Sequence, residues 1–390
     1  MKKGWQTKRL GEVCEIIKGR KPMLKATPSN GDLPYLVAKV MRGSAEAEYA
    51  SVKDRNSVTV ETTETIIICD GSNSGEVFTG FRGVLSSTMG KIAKKAEIDD
   101  DYLRAFLAST FEVFNGAKTG AAIPHLDKEA MYQLQFPFPP LAEQQRIVGL
   151  LDEAFEVLAT AKANAEKNLQ NARALFESHL QSVFTQRGPG WVEKRLGELC
   201  ERITKGSSPK WQGISYVDAP GILFVTSENV GEYDILLEQP KYVEEKFNAK
   251  DKKSILKNSD VLTNIVGASI GRTAVFDRDD VANINQAVCL IRCEPHLLNN
   301  YYLAYLLNSP VFKQVLHDNE VNNARANLSL GFFSQLPVPM PPIPKQKEIV
   351  AKLDAFREET QRLARLYERK HAALEALKKS LLHQAFNGEL

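Results

Sequence analysis

Residues 267–273 read GASIGRT, two glycines around a short polar turn followed by a cation and a hydroxyl, which is the kind of loop that can cradle a phosphate. The nucleotide-binding form of that loop needs four residues between its glycines and a lysine after the second. Here three residues intervene and Arg272 follows, so an NTP loop is excluded. FPPL at 138–141 lacks the Asn or Asp of an amino-methyltransferase motif, and no glycine-rich site for a methyl donor precedes it. Cys289, Cys293 and His296 have a loosely metal-like spacing, yet AVCLIRCE at 287–294 alternates as a strand with buried thiols does. The histidines (His125, His179, His296, His317, His371 and His383) form no Ser/His/Asp pattern. The expectation is a chain with no catalytic residue, no metal and no cofactor of its own.

The remaining chemistry is polar contact. Net charge is only +2, but residues 1–28 hold Lys2, Lys3, Lys8, Arg9, Lys18, Arg20, Lys21 and Lys25 against Glu12 and Glu15. Such a cluster permits a polyanionic partner without requiring one, because most charge clusters are solvated surface. At 390 residues the chain exceeds the ~250–300 at which one core usually divides, so two or more domains are expected. Five cysteines in so long a chain point to a reducing compartment, the cytoplasm, and neither a signal peptide nor a membrane span is expected.

What must position the polar loops is a duplicated scaffold. GWQTKRLGEVCEIIKG at 4–19 returns as GWVEKRLGELCERITKG at 190–206, with Trp5 answering Trp191 and Leu10 answering Leu196. IICDGSNSGEVF (67–78) meets NIVGASIGRTAVF (264–276), DYLRAFLAS (101–109) meets YYLAYLLNS (301–309), and PPLAEQQRIVGLLDEAF (139–155) meets PPIPKQKEIVAKLDAFR (341–357). The offset grows from 186 to 202, which records insertions in the second copy of a tandem repeat.

Each copy begins with short strands and loops broken by Gly, Pro, Asn and Ser, and holds one helix-like stretch, so its head is mixed α and β. FPFPP (136–140) and PVPMPPIP (337–344) end the strand-like run. From Leu141 to about Thr185, and from Lys345 to about Phe386, proline is absent and helix formers dominate. Each run would be about 60 Å long as a helix. Apolar residues recur in heptads: Ile147, Leu151, Ala154, Leu158, Ala161, Ala165, Ala172 and Leu175, then Ile349, Leu353, Phe356, Leu363, Tyr367, Leu374, Leu377 and Leu381. Asn168, Thr360 and Lys370 interrupt the seam as polar positions that can fix register. Two equal helices that bury their seams together about a pseudo-twofold axis run antiparallel, which places a head at each end of a dumbbell. The expected fold is therefore α+β: two mixed α/β heads separated by two long helices packed as an antiparallel coiled coil. The expected boundaries are 1–140, 141–187, 188–342 and 343–390.

This order of head, PPLAEQQRIV, long helix, head, PPIPKQKEIV and long helix resembles the specificity subunit of type I restriction-modification systems over essentially the whole chain. The resemblance implies that each head is a target recognition domain reading one half of a split double-stranded DNA site. It implies that the helices act as spacer and as docking surface for two methyltransferase (modification) subunits, with restriction (motor/nuclease) subunits joining through the complex and no membrane involved. The competing reading is a coiled-coil scaffold or adaptor whose heads bind protein or ligand. Under the resemblance, KRLGE is the entry to each head and the polar loops after it carry the DNA contacts. Those are Lys18, Arg20, Lys21, Lys25, Ser72, Asn73, Ser74 and Lys118 in the first head. In the second they are Lys205, Ser207, Ser208, Lys210, Gln212, Ser227, Asn229, Ser269, Arg272, Asn285, Gln286 and Arg325. Small polar side chains between glycines suit close approach to phosphates, while Arg, Lys, Asn and Gln suit base edges.

Overall fold

The computed structural model describes residues 4–116, 125–318 and 327–390, without the side chains of 114–116. Contacts divide the chain into two compact units, Met1–Glu166 with Arg369–Leu390, and Lys167–Glu368.

In the first unit, strand Gln6–Arg9 pairs antiparallel with Gln135–Phe138, so the opening phrase is zipped to the segment just before the proline brake. The chain then makes one helical turn, Leu10–Val13, whose Leu10 is fully buried and donates its N–H to the Leu134 carbonyl at 2.9 Å. Gly11 is required there, because a Cβ would sit 2.9 Å from Cβ of Tyr132 on the neighbouring short helix. Strand Cys14–Lys18 follows and edges a four-stranded sheet with Met89–Lys94, Ile66–Ile68 and Val77–Phe78. A second, five-stranded sheet runs Leu24–Lys25, Tyr49–Ser51, Asp32–Leu36, Gly83–Leu85, Thr59–Val60. Helix Asp100–Ser109 starts at Asp99, whose carboxylate accepts the N–H groups of Asp101 and Tyr102 as an N-cap.

The second unit repeats this plan. Val192–Arg195 pairs with Pro337–Met340, and the sheet order is Cys200–Lys205, Val288–Cys293, Asp260–Asn264, Thr273–Phe276. Leu196 donates to the Leu336 carbonyl at 2.9 Å, and Asn299 caps helix Asn300–Asn308. The repeated tryptophans are junction packing: Trp5 lies against the first core, and the Trp191 ring is 6.4 Å from that of Tyr302.

The PPxxxQ phrases have a structural explanation. The amide of Gln144, 1% exposed, accepts the Asp99 N–H at 2.9 Å and donates to the Pro139 carbonyl at 2.8 Å. Gln346, 0% exposed, does the same with the Asn299 N–H at 2.8 Å and the Pro341 carbonyl at 2.9 Å. The glutamine latches the first turn of a long helix to the N-cap of the head helix, Asp100–Ser109 or Asn300–Asn308, and satisfies buried backbone groups that proline-broken chain leaves open.

The long helices are Leu141–Thr185 and Ile343–Asn387. The second begins two residues before its proline-free run, because Pro344 falls in the first turn, where no N–H partner is lost. Within each unit the helices are antiparallel. In the first, Lys162 meets Glu375 at 2.7 Å and Glu166 meets His371 at 3.1 Å; in the second, Arg173 meets Glu368 at 2.8 Å and the Phe176 ring lies 6.3 Å from that of Phe356. The first core includes Ile147 and Leu151 from the start of one helix and Phe386 from the end of the other, with Phe386 edge-on to Tyr102 and Phe106 at 5.3 Å. Leu180, Phe184, Ile349 and Leu353 take the corresponding places in the second.

The seam departs from a strict heptad in two places. Leu175 is 50% exposed, because after Ala172 the buried row advances by four to Phe176 rather than by three. Leu377 is 47% exposed, as is the neighbouring Lys378, whose stem carries its ammonium to 5.1 Å from the Phe155 ring. Leu158, Leu363, Leu374 and Leu381 are half-buried, as is Phe356. Thr360 is buried and returns its hydroxyl to the Phe356 carbonyl at 2.9 Å, whereas Lys370 is exposed and His371 takes the inward position.

Candidate nucleic-acid interface

In the second head, strands Ile222–Val225 and Ala282–Ile284 run parallel, so the loops that follow them, 226–229 and 285–286, leave by the same edge. The carboxyl ends of parallel strands are where open sheets gather ligand loops. The Asn285 N–H donates to the Val225 carbonyl at 3.1 Å and ties the two loops together. Gly206 brings in a third segment: a Cβ there would lie 1.8 Å from the Ile284 carbonyl oxygen, so only glycine lets strand Cys200–Lys205 pass this close. Lys205, Ser207 and Ser208 are thereby set beside Asn285 and Gln286. Asn264, fully buried, donates to the Ser227 carbonyl at 2.8 Å and to the Ser269 hydroxyl at 3.2 Å, drawing in the glycine loop as a fourth segment.

That loop turns through Gly267 at φ 80° and Gly271 at φ 85°, and the Gly271 N–H closes on the Asn264 carbonyl at 2.9 Å. Gly71 and Gly75 in the first head have φ 119° and 95°, with Gly75 closing on the Ile68 carbonyl at 2.8 Å. Arg272 is exposed at the exit of its loop, as are Lys210 and Gln286.

Some of the sequence candidates are turned inward. Asn229 is buried, accepts the Thr226 N–H and hydroxyl at 3.0 Å each, and donates to the Leu236 carbonyl at 2.9 Å, so its side chain is spent closing a turn. Ser74 is 1% exposed within its own turn. Ser207 donates to the buried Asp251 and accepts from Gln212, whose backbone carbonyl in turn receives the Lys250 ammonium at 2.6 Å; these residues brace the loop. Asn285 half-braces its own turn by accepting the Ala287 N–H at 3.1 Å.

The first head assembles the same edge. Tyr35 and Leu36 run parallel to Val84 and Leu85, and a Cβ on Gly19 would sit 2.2 Å from the Ser86 carbonyl. Lys18 ends its strand in an ion pair with Asp70 at 2.6 Å, and Nδ1 of His125 contacts the other carboxylate oxygen at 2.8 Å. Lys25 is paired with Asp32 at 2.8 Å. Arg20 and Lys21 are exposed and have no ion pair among the described residues. Ser72 is exposed, while Asn73 donates to Glu76 at 3.3 Å. Lys118 and Arg325 lie outside the described residues.

Strand register also exposes residues that sequence inspection missed. Leu85 occupies the place of Ile284, so Ser87 and Thr88, both exposed, stand where Gln286 and Ala287 stand; Leu36 occupies the place of Val225, which brings exposed Lys39 to the same edge. VLSST and NINQA share no residue at matched positions, so only the paired strands reveal the equivalence.

Asp70 is held below the usual carboxylate range: burial alone would raise it, but the hydrogen bonds and charges of Lys18 and His125 outweigh that. A depressed folded-state value gives stability that is full above the unfolded value, about pH 4, and is lost as the pH falls through the lower folded value. Asp70→Asn is therefore expected to lose stability at neutral pH and to show a shallower acid decline below about pH 4. Urea midpoints against pH measure both; parallel acid limbs would mean the carboxylate is not coupled to folding.

The thiols are structural. Cys289 and Cys293 lie in a buried strand, with Cys293 opposite Cys200, and burial raises the Cys289 thiol far above its ordinary value; His296 is exposed. Among the described residues no group of His, Cys, Asp and Glu is arranged to hold a metal ion. No helix of the described residues is long and apolar enough to cross a membrane.

Two heads built on one plan, each with a polar loop edge and each joined to a long antiparallel helix pair, define a duplicated recognition scaffold. The family model for the type I restriction modification DNA specificity domain matches residues 2–169 and again 189–368, and the chain belongs to that family. It is 26% identical to the type I restriction enzyme MjaVIII specificity subunit of Methanocaldococcus jannaschii, covering 99% of this chain and 93% of that one. It is 24% identical to the EcoBI specificity subunit of Escherichia coli, covering 91% and 79%. Its fold matches a chain from a type I restriction-modification system solved for its complex assembly, with TM-score 0.79, 20% identity and coverage of 100% and 99%. It also matches the HsdS subunit of Thermoanaerobacter tengcongensis, with TM-score 0.60, 20% identity and coverage of 100% and 98%.

Proposed function

We propose that this chain is the non-catalytic subunit that gives a type I restriction-modification complex its DNA sequence specificity. Residues 1–140 and 188–342 each read one half of a bipartite double-stranded site. Residues 141–187 and 343–390 dock methyltransferase subunits, two per complex, with restriction subunits joining through the assembly in the cytoplasm. The observation that carries this reading is the paired loop edge: in each head a glycine forced against a strand carbonyl gathers cations, hydroxyls and amides at the end of a parallel strand pair. The two edges share backbone plan and differ in side chains, as readers of different half-sites must.

Methylation mapping of DNA from cells expressing the chain with its methyltransferase partner tests this. The expected result is one motif of two half-sites at a fixed separation, and exchange of residues 1–140 for another member's first head should change one half-site only. Simultaneous change of both half-sites, or a methylation pattern indifferent to the chain, would overturn the proposal. The chain alone should neither methylate nor cut.

A further inference from the structure

Among the described large apolar side chains, the most exposed of the first unit is Met23, at 77%, and the most exposed of the second is Trp211, at 83%. Both lie on the same connection of the repeated plan, between the forced glycine (Gly19 or Gly206) and the edge strand of the next sheet (Leu24–Lys25 or Tyr216–Val217). Single exposed apolar residues are ordinary. The two connections share Lys, Gly and Pro in register, KGRKP against KGSSP, and diverge after the proline, yet each sets its exposed apolar residue within two positions of that proline.

Neither tip dangles. The Met23 N–H is held by the Asp54 carboxylate at 3.0 Å, and buried Pro22 precedes it. Trp211 is the middle residue of the turn Lys210–Gln212, flanked by buried Pro209 and Ile214 and braced by the Ser207, Gln212 and Asp251 network. A braced loop that holds an indole in water keeps apolar area unsatisfied in the free chain and loses little entropy when a partner covers it. The surroundings are cationic: Arg20 and Lys21 beside Met23, and Lys210 beside Trp211, are exposed with no ion pair among the described residues. An apolar tip rimmed by free cations is complementary to a groove, where phosphates line the rims, sugars and base edges lie between, and an apolar wedge can enter a base step.

We infer that Met23 and Trp211 are the apolar contacts each head makes with the bases and sugars of its own half-site, packed against one base step while the neighbouring cations hold the phosphates. The inference rests on the DNA-reading function proposed above and adds two residues that no polar inventory contains.

The test uses the full chain co-expressed with its methyltransferase partner, and the duplex carrying the mapped bipartite site against a scrambled duplex of equal composition. Trp211→Ala is expected to weaken binding to the mapped duplex by roughly 10- to 150-fold, the range for returning one large buried apolar side chain to water. The salt slope should stay at the wild-type value, because no charge is removed, whereas Lys210→Ala should lower it by about 0.9. Trp211→Phe should recover most of the affinity, Met23→Ala should weaken the first half-site interaction in the same way, and melting midpoints should not move. Binding by Trp211→Ala and Met23→Ala within twofold of wild type would overturn the inference while leaving the function intact. So would a loss of methyltransferase co-purification in place of DNA affinity, which would make the tips protein-binding surfaces. A wild-type complex that fails to distinguish mapped from scrambled duplex would overturn the function itself.

Discussion

Arg292→Ala is expected to destabilise the second unit by about 3–5 kcal/mol, the cost of leaving one partner of a buried ion pair uncompensated. Arg292 is 8% and Asp260 1% exposed, and the guanidinium grips the carboxylate through two hydrogen bonds of 2.7 Å, Nε to Oδ1 and Nη2 to Oδ2. Nη2 also donates to the Ile255 carbonyl at 3.1 Å, and Asp260 accepts the Lys257 N–H at 2.7 Å, so all parties are hydrogen-bonded. Removing the cation strands a carboxylate between two adjacent strands of the sheet. A loss of this size is a large share of the ~5–15 kcal/mol that holds a typical domain. Chemical denaturation should show an earlier transition for residues 167–368, and a joint Arg292→Met, Asp260→Leu replacement should recover most of the loss. A change under about 1 kcal/mol for the single variant would show that water already reaches the pair. The first head has Ala93 at the equivalent position, so no comparable replacement exists there.

Replacing Arg20 and Lys21 together with alanine should flatten the salt dependence of DNA binding by about 1.8, at roughly 0.9 for each phosphate no longer neutralised. Between 50 and 200 mM salt that removes about one order of magnitude from the affinity the wild type sheds. The paired replacement of Lys18 and Lys25 should do much less, because Asp70 and Asp32 already neutralise those ammonium groups at 2.6 and 2.8 Å. Sequence alone treats these cations as one cluster, and the ion pairs separate them. Equal slopes for both double variants would mean that the pairs open on DNA, and an unchanged slope for Arg20 and Lys21 would return them to solvated surface.

The division between what sequence determines and what tertiary structure decides follows the range of the interactions. Duplication is written in order and spacing, and helix extent follows from local propensity and proline placement, which is why the runs from Leu141 and from near Lys345 match Leu141–Thr185 and Ile343–Asn387 to within two residues. The phase of the seam is not local. Phe176 displaces Leu175 because the Tyr233 and Tyr305 rings, 5.9 and 6.4 Å away, claim it, and Leu377 is left exposed between half-buried Leu374 and Leu381. Polar loops are recognisable by composition, yet Asn229 faces inward and Lys39, Ser87 and Thr88 face outward for reasons of strand register. A side chain's type states what it can bond, whereas chain brought from dozens of residues away decides whether that capacity is already used. Gln144 and Gln346 stand between the two cases: the repeat marks them as special, and only the distant Asp99 and Asn299 N–H groups show that their role is to latch helix to head.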